Sequence, residues 1–203
     1  LDALSSPKTA IEMHKLGGLA VMNLEGLQTR YENPDEILEE IATVPRDEAT
    51  PLLQKIYSAT IQEEYLGQRI REVKNGGALC AVSVTPANTK KFAPMAVEAG
   101  ADILVVQSTV TTARHISKSL RGLVISELIK QIKVPVIVGN TVSFSSALEL
   151  METGIHGVLV GVGPGAACTT REVTGVGVPQ VTATLECAAA RDEYQRRTGR
   201  DVP

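Results

Sequence analysis

A cysteine in a glycine-rich segment is the most chemically suggestive feature of the sequence. The segment Gly161–Gln180 reads GVGPGAACTTREVTGVGVPQ and places Cys168 after two alanines and before the hydroxyls of Thr169 and Thr170. Its glycines and prolines predict backbone turns that other residues could not adopt. A thiol among backbone amides and near the guanidinium of Arg171 is favoured as a thiolate, the nucleophilic form. We therefore interpret Cys168 as a nucleophile rather than as an apolar filler beneath a tight turn.

The remaining cysteines and the neighbouring arginine favour simpler interpretations. Cys80 lies in an apolar strand pattern and Cys187 lies among helical alanines, so we expect both to be packing residues. Arg171 could favour the thiolate, although an ion pair with Glu172 or another surface acid is at least as good an expectation. The odd, sparse cysteine count argues against a disulfide framework and against a zinc site built from cysteines.

Composition excludes several classes of protein. The chain has 203 residues, of which 43% are hydrophobic and 21% charged, as in ordinary globular domains. Its net charge of −3 provides no basic field for nucleic acid. No apolar run is long enough to span a bilayer and no signal-peptide pattern is visible, so we expect a soluble, cytoplasmic protein without a membrane partner.

Short β-branched runs alternate with helical patterns, which predicts parallel strands joined by helices. Predicted strands cover residues 18–23, 78–84, 102–107, 135–139 and 157–160, and predicted helices cover 6–17, 34–44, 47–59, 63–74, 87–99, 124–132, 144–153 and 180–198. A closed (β/α)8 TIM-type barrel needs eight strands, whereas about five are visible here. Either the sheet is open or the chain is part of a longer barrel. The abrupt chain ends favour an incomplete barrel over residues 1–203.

The glycine-rich segment resembles the catalytic-cysteine loop of the IMP dehydrogenase and GMP reductase family. The resemblance rests on Gly163–Arg171 (GPGAACTTR) and on Gly175–Gln180 (GVGVPQ), and it extends to the Asp2 region and to Gly17-Gly18. Many of these dehydrogenases carry a regulatory CBS pair after the second barrel strand. Residues 43–75 stand there instead and are predicted to be a helical insert, as in the shorter, CBS-lacking branch.

The resemblance implies NAD-dependent oxidation of IMP to XMP through a covalent cysteine thioimidate, a step in GMP biosynthesis. Cys168 would be the nucleophile, and Thr170 would position substrate and water beside it. The backbone carbonyls of Gly163, Gly165 and Cys168 would coordinate a monovalent cation such as K⁺. The family also implies a homotetramer.

Further residues are assigned to ligands by the same resemblance. Asn140, at the end of the predicted strand 135–139, would lie near the substrate, although a turn-forming role in Gly139-Asn140 competes with that assignment. Backbone groups of Gly165 and Ala166 would hold the substrate phosphate. The cofactor would be bound by residues that follow the third predicted strand: Gln107, Ser108 and Thr109.

The sequence departs from the family pattern at several of these positions. Ala166 stands where most members have a serine, and Gln107 stands where many have an aspartate that binds the cofactor ribose. Thr85-Pro86 replaces a Thr-His pair, and Leu159 replaces an arginine of some members. The resemblance places the family's mobile flap and ribose-binding aspartate beyond Pro203, so we expect an IMP dehydrogenase-like oxidoreductase whose residues 1–203 are inactive on their own.

Three alternatives to IMP dehydrogenase activity stay open on the sequence. A GMP reductase shares the Gly-Pro-Gly and Cys-Thr-Thr elements of the loop. A non-catalytic regulator that binds purine nucleotides would be consistent with Ala166 and Gln107. In a third alternative, Cys168 is buried and inert.

Overall fold

The computed structural model describes residues 4–113 and 122–203, so Asp2 lies outside the described residues. The strands form a five-stranded sheet in chain order: β1 (Val21–Asn23), β2 (Ala81–Val84), β3 (Ile103–Gln107), β4 (Val136–Thr141) and β5 (Gly157–Val160). The helices are α1 (Pro7–Lys15), α2 (Pro34–Thr43), α3 (Ala49–Ser58), α4 (Glu63–Asn75), α5 (Thr89–Glu98), α6 (Ile125–Gln131), α7 (Phe144–Glu152), α8 (Thr170–Thr174) and α9 (Gln180–Thr198), with a 3-10 helix at Leu27–Thr29. The predicted α/β class with parallel strands is confirmed. Every helix among the described residues is too short or too polar to cross a membrane.

Local sequence signals explain where the helices begin and end. The Ser6 side chain accepts a hydrogen bond of 3.2 Å from the Thr9 N–H, and Pro7 occupies the first position of α1. Ser143 caps α7 in the same way. Gly17 and Gly154 then adopt left-handed φ values of 77° and 95° just beyond α1 and α7.

The chain divides into two compact units, and the first comprises Leu1–Val84 and Phe92–Ile103. Within it, β1 and β2 are parallel, with Val21 opposite Ala81. Its fully buried side chains come from β1, the following segment, α4 and β2: Met22, Leu24, Leu27, Leu66, Ile70, Val73 and Val82. Residues 43–75 contain α3 and α4, and their interpretation as an insert stays a prediction.

The second unit comprises Thr85–Lys91 and Leu104–Pro203. Here β4 lies between β3 and β5 and is parallel to both. Helix α9 packs on α7 through a stripe of its buried small and aromatic residues: Ala183, Cys187, Ala190 and Tyr194. Their spacing of three and four residues places them on one helix face. The glycine-rich segment therefore lies between β5, whose residues after Gly157 are only partly buried, and the packed helix α9.

Two local predictions are wrong. The fourth strand was expected to end at Gly139, but β4 continues to Thr141, so Asn140 lies inside the strand. Residues 161–177 were expected to be a continuous loop, but they contain the short helix α8, which begins at Thr170. Both differences concern the segment that forms the candidate site.

Candidate active site

A pocket of about 340 Å³ lies at the carboxyl ends of β3, β4 and β5. It is lined by Gln107, Ser108, Thr109, Asn140, Gly161, Val162, Gly163 and Thr170. Parallel sheets place their ligands at this edge, because the loops that follow the strands converge there. The structure thus brings together the three residues predicted for the cofactor, one predicted for the substrate, and Thr170.

The glycine-rich segment turns sharply as it leaves β5. Gly161 and Gly163 have φ values of 126° and 62°, which L side chains rarely adopt. Gly165 and Ala166 are exposed beyond that turn, and neither lines the pocket. The Cys168 N–H donates to the Gly165 carbonyl at 3.1 Å and so closes a tight turn in front of the thiol.

The Cys168 thiol is half-buried and contacts Thr170. Its Sγ donates to Thr170 Oγ1 at 3.2 Å. Hydrogen bonds from the side chain and backbone of Thr170 lower the pKa of Cys168; burial opposes this effect, and the positive charge of Arg171 makes the smallest contribution in the lowering direction. Thr170 therefore contacts the sulfur and also lines the pocket. These features favour a reactive thiol over an inert filler.

The other two cysteines have the opposite environment. Cys80 is 1% exposed, and its burial, together with the nearby negative charge of Asp102, raises its pKa to about 12. Cys187 is also buried, and burial followed by the charge of Glu186 raises its pKa. Both thiols stay protonated at neutral pH, which agrees with their predicted packing roles.

Asn140 occupies an irregularity between β4 and β5. Gly139 pairs with Leu159 and Thr141 with Val160, so Asn140 is an extra residue on its strand. Such a bulge redirects a side chain and is common beside active sites. Its Nδ2 donates to the Gly161 carbonyl at 2.8 Å, which ties β4 to the first residue of the glycine-rich segment. A turn-forming role is therefore wrong for Asn140.

The segment after β3 is held by β4. The Ser108 N–H donates to the Gly139 carbonyl at 3.0 Å, and the buried Thr111 hydroxyl donates to the same oxygen at 2.7 Å. The Ser108 hydroxyl is within 2.8 Å of the Thr111 hydroxyl. Gln107 and Thr109 are exposed at the pocket, where an amide and a hydroxyl can bind a hydroxylated ligand. Sequence reasoning missed Thr111, since nothing local marks an isolated threonine as a support.

Comparison of the sequence with models of known protein families identifies one family. The model of the IMP dehydrogenase / GMP reductase domain matches residues 1–201. The chain belongs to this family. The resemblance expected from the cysteine loop is therefore confirmed.

Individual family members agree in sequence and in structure. An uncharacterized oxidoreductase of Mycolicibacterium smegmatis is 39% identical over 98% of this chain and 54% of its own length. An inosine-5′-monophosphate dehydrogenase of Cryptosporidium parvum is 28% identical over 96% of this chain and 49% of its own. The crystal structure of an IMP dehydrogenase/GMP reductase-like protein from Corynebacterium glutamicum is 38% identical, with a TM-score of 0.91 over 100% of this chain and 54% of that one. The chain therefore spans about half the length of the relatives it matches.

The monovalent cation that the family implies does not fit the carbonyl arrangement of this structure. Two of its expected ligands, the carbonyl oxygens of Gly163 and Gly165, both accept hydrogen bonds from Arg171 Nη1, the second at 3.1 Å. The Gly165 oxygen also accepts from the Cys168 N–H. The alternative expectation for Arg171 is wrong too, because within residues 122–203 it forms no ion pair with Glu172.

Proposed function

We propose that this chain forms the nucleotide-site half of an enzyme that oxidises IMP to XMP. The observation that supports this most directly is the contact between Cys168 and Thr170 at the edge of the strand-tip pocket. A thiol with a lowered pKa is available as a nucleophile, and a purine ring bound at this edge would lie within its reach. Family membership supports the same chemistry, since the family is defined by IMP dehydrogenases and GMP reductases.

The proposed reaction has two stages. The Cys168 thiolate adds to C2 of the purine, and the hydrogen on C2 leaves with its electron pair. NAD, when bound, supplies the nicotinamide ring that accepts this hydride. Water then adds to C2 of the cysteine thioimidate and gives up one proton to solvent, the carbon–sulfur bond breaks, and XMP and the free thiolate are released.

The chain's own residues would orient these reactants. The Thr170 hydroxyl, 3.2 Å from Cys168 Sγ, stabilises the thiolate before attack and can then hydrogen-bond to substrate or water. Exposed backbone groups of Gly165 and Ala166 would hold the substrate phosphate. Gln107, Ser108 and Thr109 fit a ribose of the cofactor, since they present an amide and hydroxyls without a charge. By the same family relationship, we propose that the whole protein is a cytoplasmic homotetramer.

The test is to incubate the complete protein, of which this chain forms the nucleotide-site half, with IMP and NAD, and separately with GMP and NADPH. We expect NADH and XMP from the first pair, and a covalent purine adduct on Cys168 in rapidly quenched samples analysed by mass spectrometry. Cys168→Ser should abolish the adduct and turnover. Cys187→Ala is the matched control, because it removes a thiol that is buried against α7, and should retain both.

Either of two results would contradict this proposal and assign a different function. Consumption of NADPH with GMP alone would assign GMP reductase activity. Binding of IMP without an adduct on Cys168 would assign a non-catalytic nucleotide-binding protein.

A further inference from the structure

The stem of the Arg171 side chain passes through a backbone enclosure in the glycine-rich segment, although the residue as a whole is exposed. A Cβ added to Gly163 would lie 3.3 Å from Arg171 Cγ, and one added to Gly177 would lie 2.8 Å from its Cδ. The stem of Arg171 thus passes between two residues that have no side chain. At its end, Nη1 donates to the carbonyls of Gly163 and Gly165. Two glycines of this segment therefore make room for an arginine of the same chain.

The backbone folds back to form this enclosure. Helix α8 ends at Gly175, whose φ of 69° reverses the chain. The Val176 carbonyl oxygen then lies 3.1 Å from the position of a Cβ on Gly163. The Val178 N–H donates to the Val162 carbonyl at 3.0 Å and holds the returning segment in place. A cation is thus fixed next to the turn that carries Cys168.

We propose that Arg171 is the positioning residue of the cysteine loop, and that its guanidinium replaces a monovalent cation at the carbonyls of Gly163 and Gly165. Both groups would place one positive charge against the same two oxygens, but the arginine is covalently attached and needs no ion from solution. This inference deepens the proposed function, since it concerns the loop of the proposed nucleophile. Its test uses the thiol alone and needs no turnover.

Removal of Arg171 has two expected consequences. The loop should loosen, because Nη1 no longer joins the carbonyls of Gly163 and Gly165. The same two oxygens should also become available to an ion from solution. A residue that only filled space would leave this response to ions unchanged.

The experiment measures the alkylation rate of Cys168 by iodoacetamide at one fixed, neutral pH. Each variant is measured in potassium chloride and in choline chloride at equal ionic strength, and the modified peptide is quantified by mass spectrometry. We expect the wild-type rate to be the same in both salts. In Arg171→Met the rate in choline chloride should differ from that of the wild type, because the turn that presents the thiol is no longer held by the arginine. Potassium should bring the rate back towards the wild-type value, because the two carbonyls are then available to it.

Three further variants separate positioning from folding defects. Gly177→Ala should reproduce the effect with the arginine still present, because the new Cβ displaces its stem. Arg171→Lys keeps a cationic donor for the two carbonyls, so its alkylation rate should respond to potassium less than that of Arg171→Met. Arg196→Met removes an exposed charge of α9 and should change nothing. The proposal is overturned if Arg171→Met matches the wild type, or if potassium changes the rate of the wild type as much as it changes that of Arg171→Met.

Discussion

Replacement of Gly139 by alanine tests whether close contact between β4 and β5 positions the site. A Cβ on Gly139 would lie 2.5 Å from both Cβ and the carbonyl oxygen of Leu159, and 3.0 Å from its Cα. Carbon atoms in ordinary contact are about 3.5–4.0 Å apart, so the two strands would have to separate by about 1 Å. The obstructing atoms belong mainly to the backbone and cannot rotate away.

The expected cost follows from this clash. Overpacking of a buried site typically destabilises a protein by about 1–3 kcal/mol, and we expect the upper part of that range because the neighbour is backbone. Alanine also restricts the unfolded chain, which favours folding by about 0.4–1 kcal/mol. Gly139→Ala should therefore lower the free energy of unfolding by roughly 2 kcal/mol.

Gly157→Ala is the matched control on the neighbouring strand. Its new Cβ would meet Ile137 Cγ1 at 3.3 Å and the Pro203 carbonyl oxygen at 3.5 Å, distances that small side-chain movements can relieve. Alanine restricts the unfolded chain equally in both variants, so this contribution cancels when their free energies of unfolding are compared. Urea unfolding followed by circular dichroism gives that difference directly. Equal unfolding free energies for the two variants would refute the argument that this contact is obligatory.

Two further outcomes follow from titratable groups. Thr170→Val removes the hydroxyl that lowers the pKa of Cys168, so alkylation of the thiol should shift to higher pH. The control Thr169→Val should leave the dependence of the alkylation rate on pH unchanged. The same pH dependence in both variants would contradict the proposed contact. The second prediction concerns Asp102, whose carboxylate accepts hydrogen bonds from the Cys80 N–H at 2.7 Å and from Lys74 at 2.8 Å. Burial by itself would raise the pKa of Asp102, but these two partners outweigh it and lower the pKa. Its contribution is complete above the unfolded carboxyl pKa of about 3.9 and is lost as pH falls through the lower folded value. Asp102→Asn should therefore cost about 1 kcal/mol in urea unfolding at neutral pH, and the deficit should shrink in acid; a deficit that does not depend on pH would contradict this assignment.

The sequence alone predicted the helices and strands whose boundaries are marked by nearby residues. The bounds of α1 followed from a serine cap, a proline at the first position and a closing glycine. Strand β5 and helix α9 have the predicted bounds, 157–160 and 180–198. The position of the glycine-rich segment at the carboxyl edge of the sheet also followed, because it comes directly after a parallel strand.

Features that depend on a distant partner could not be predicted. The bulge at Asn140 is defined by how β4 pairs with β5, which lies later in the chain. The apolar run before Asn140 therefore could not show where β4 ends. Helix α8 is too short for a periodic pattern and has glycine close by on its carboxyl side. Adjacent charges suggested that Arg171 pairs with Glu172, but the return of the chain through Gly177 directs the guanidinium to backbone carbonyls instead.

These contacts imply that the two ends of the glycine-rich segment are held more firmly than its middle. At the entrance, the Gly161 carbonyl accepts from Asn140, and the Val162 carbonyl accepts from the Val178 N–H. For the exposed residues before Cys168, the hydrogen bonds within residues 122–203 are the turn from the Cys168 N–H to Gly165 and the arginine contact. A loop fixed in this way can present its thiol at a constant distance from the pocket, while the backbone groups that would meet a phosphate stay accessible. Loss of Arg171 would then affect the thiol more than it affects the pocket, which is why the alkylation profile of Cys168 distinguishes that residue from the strand-tip residues.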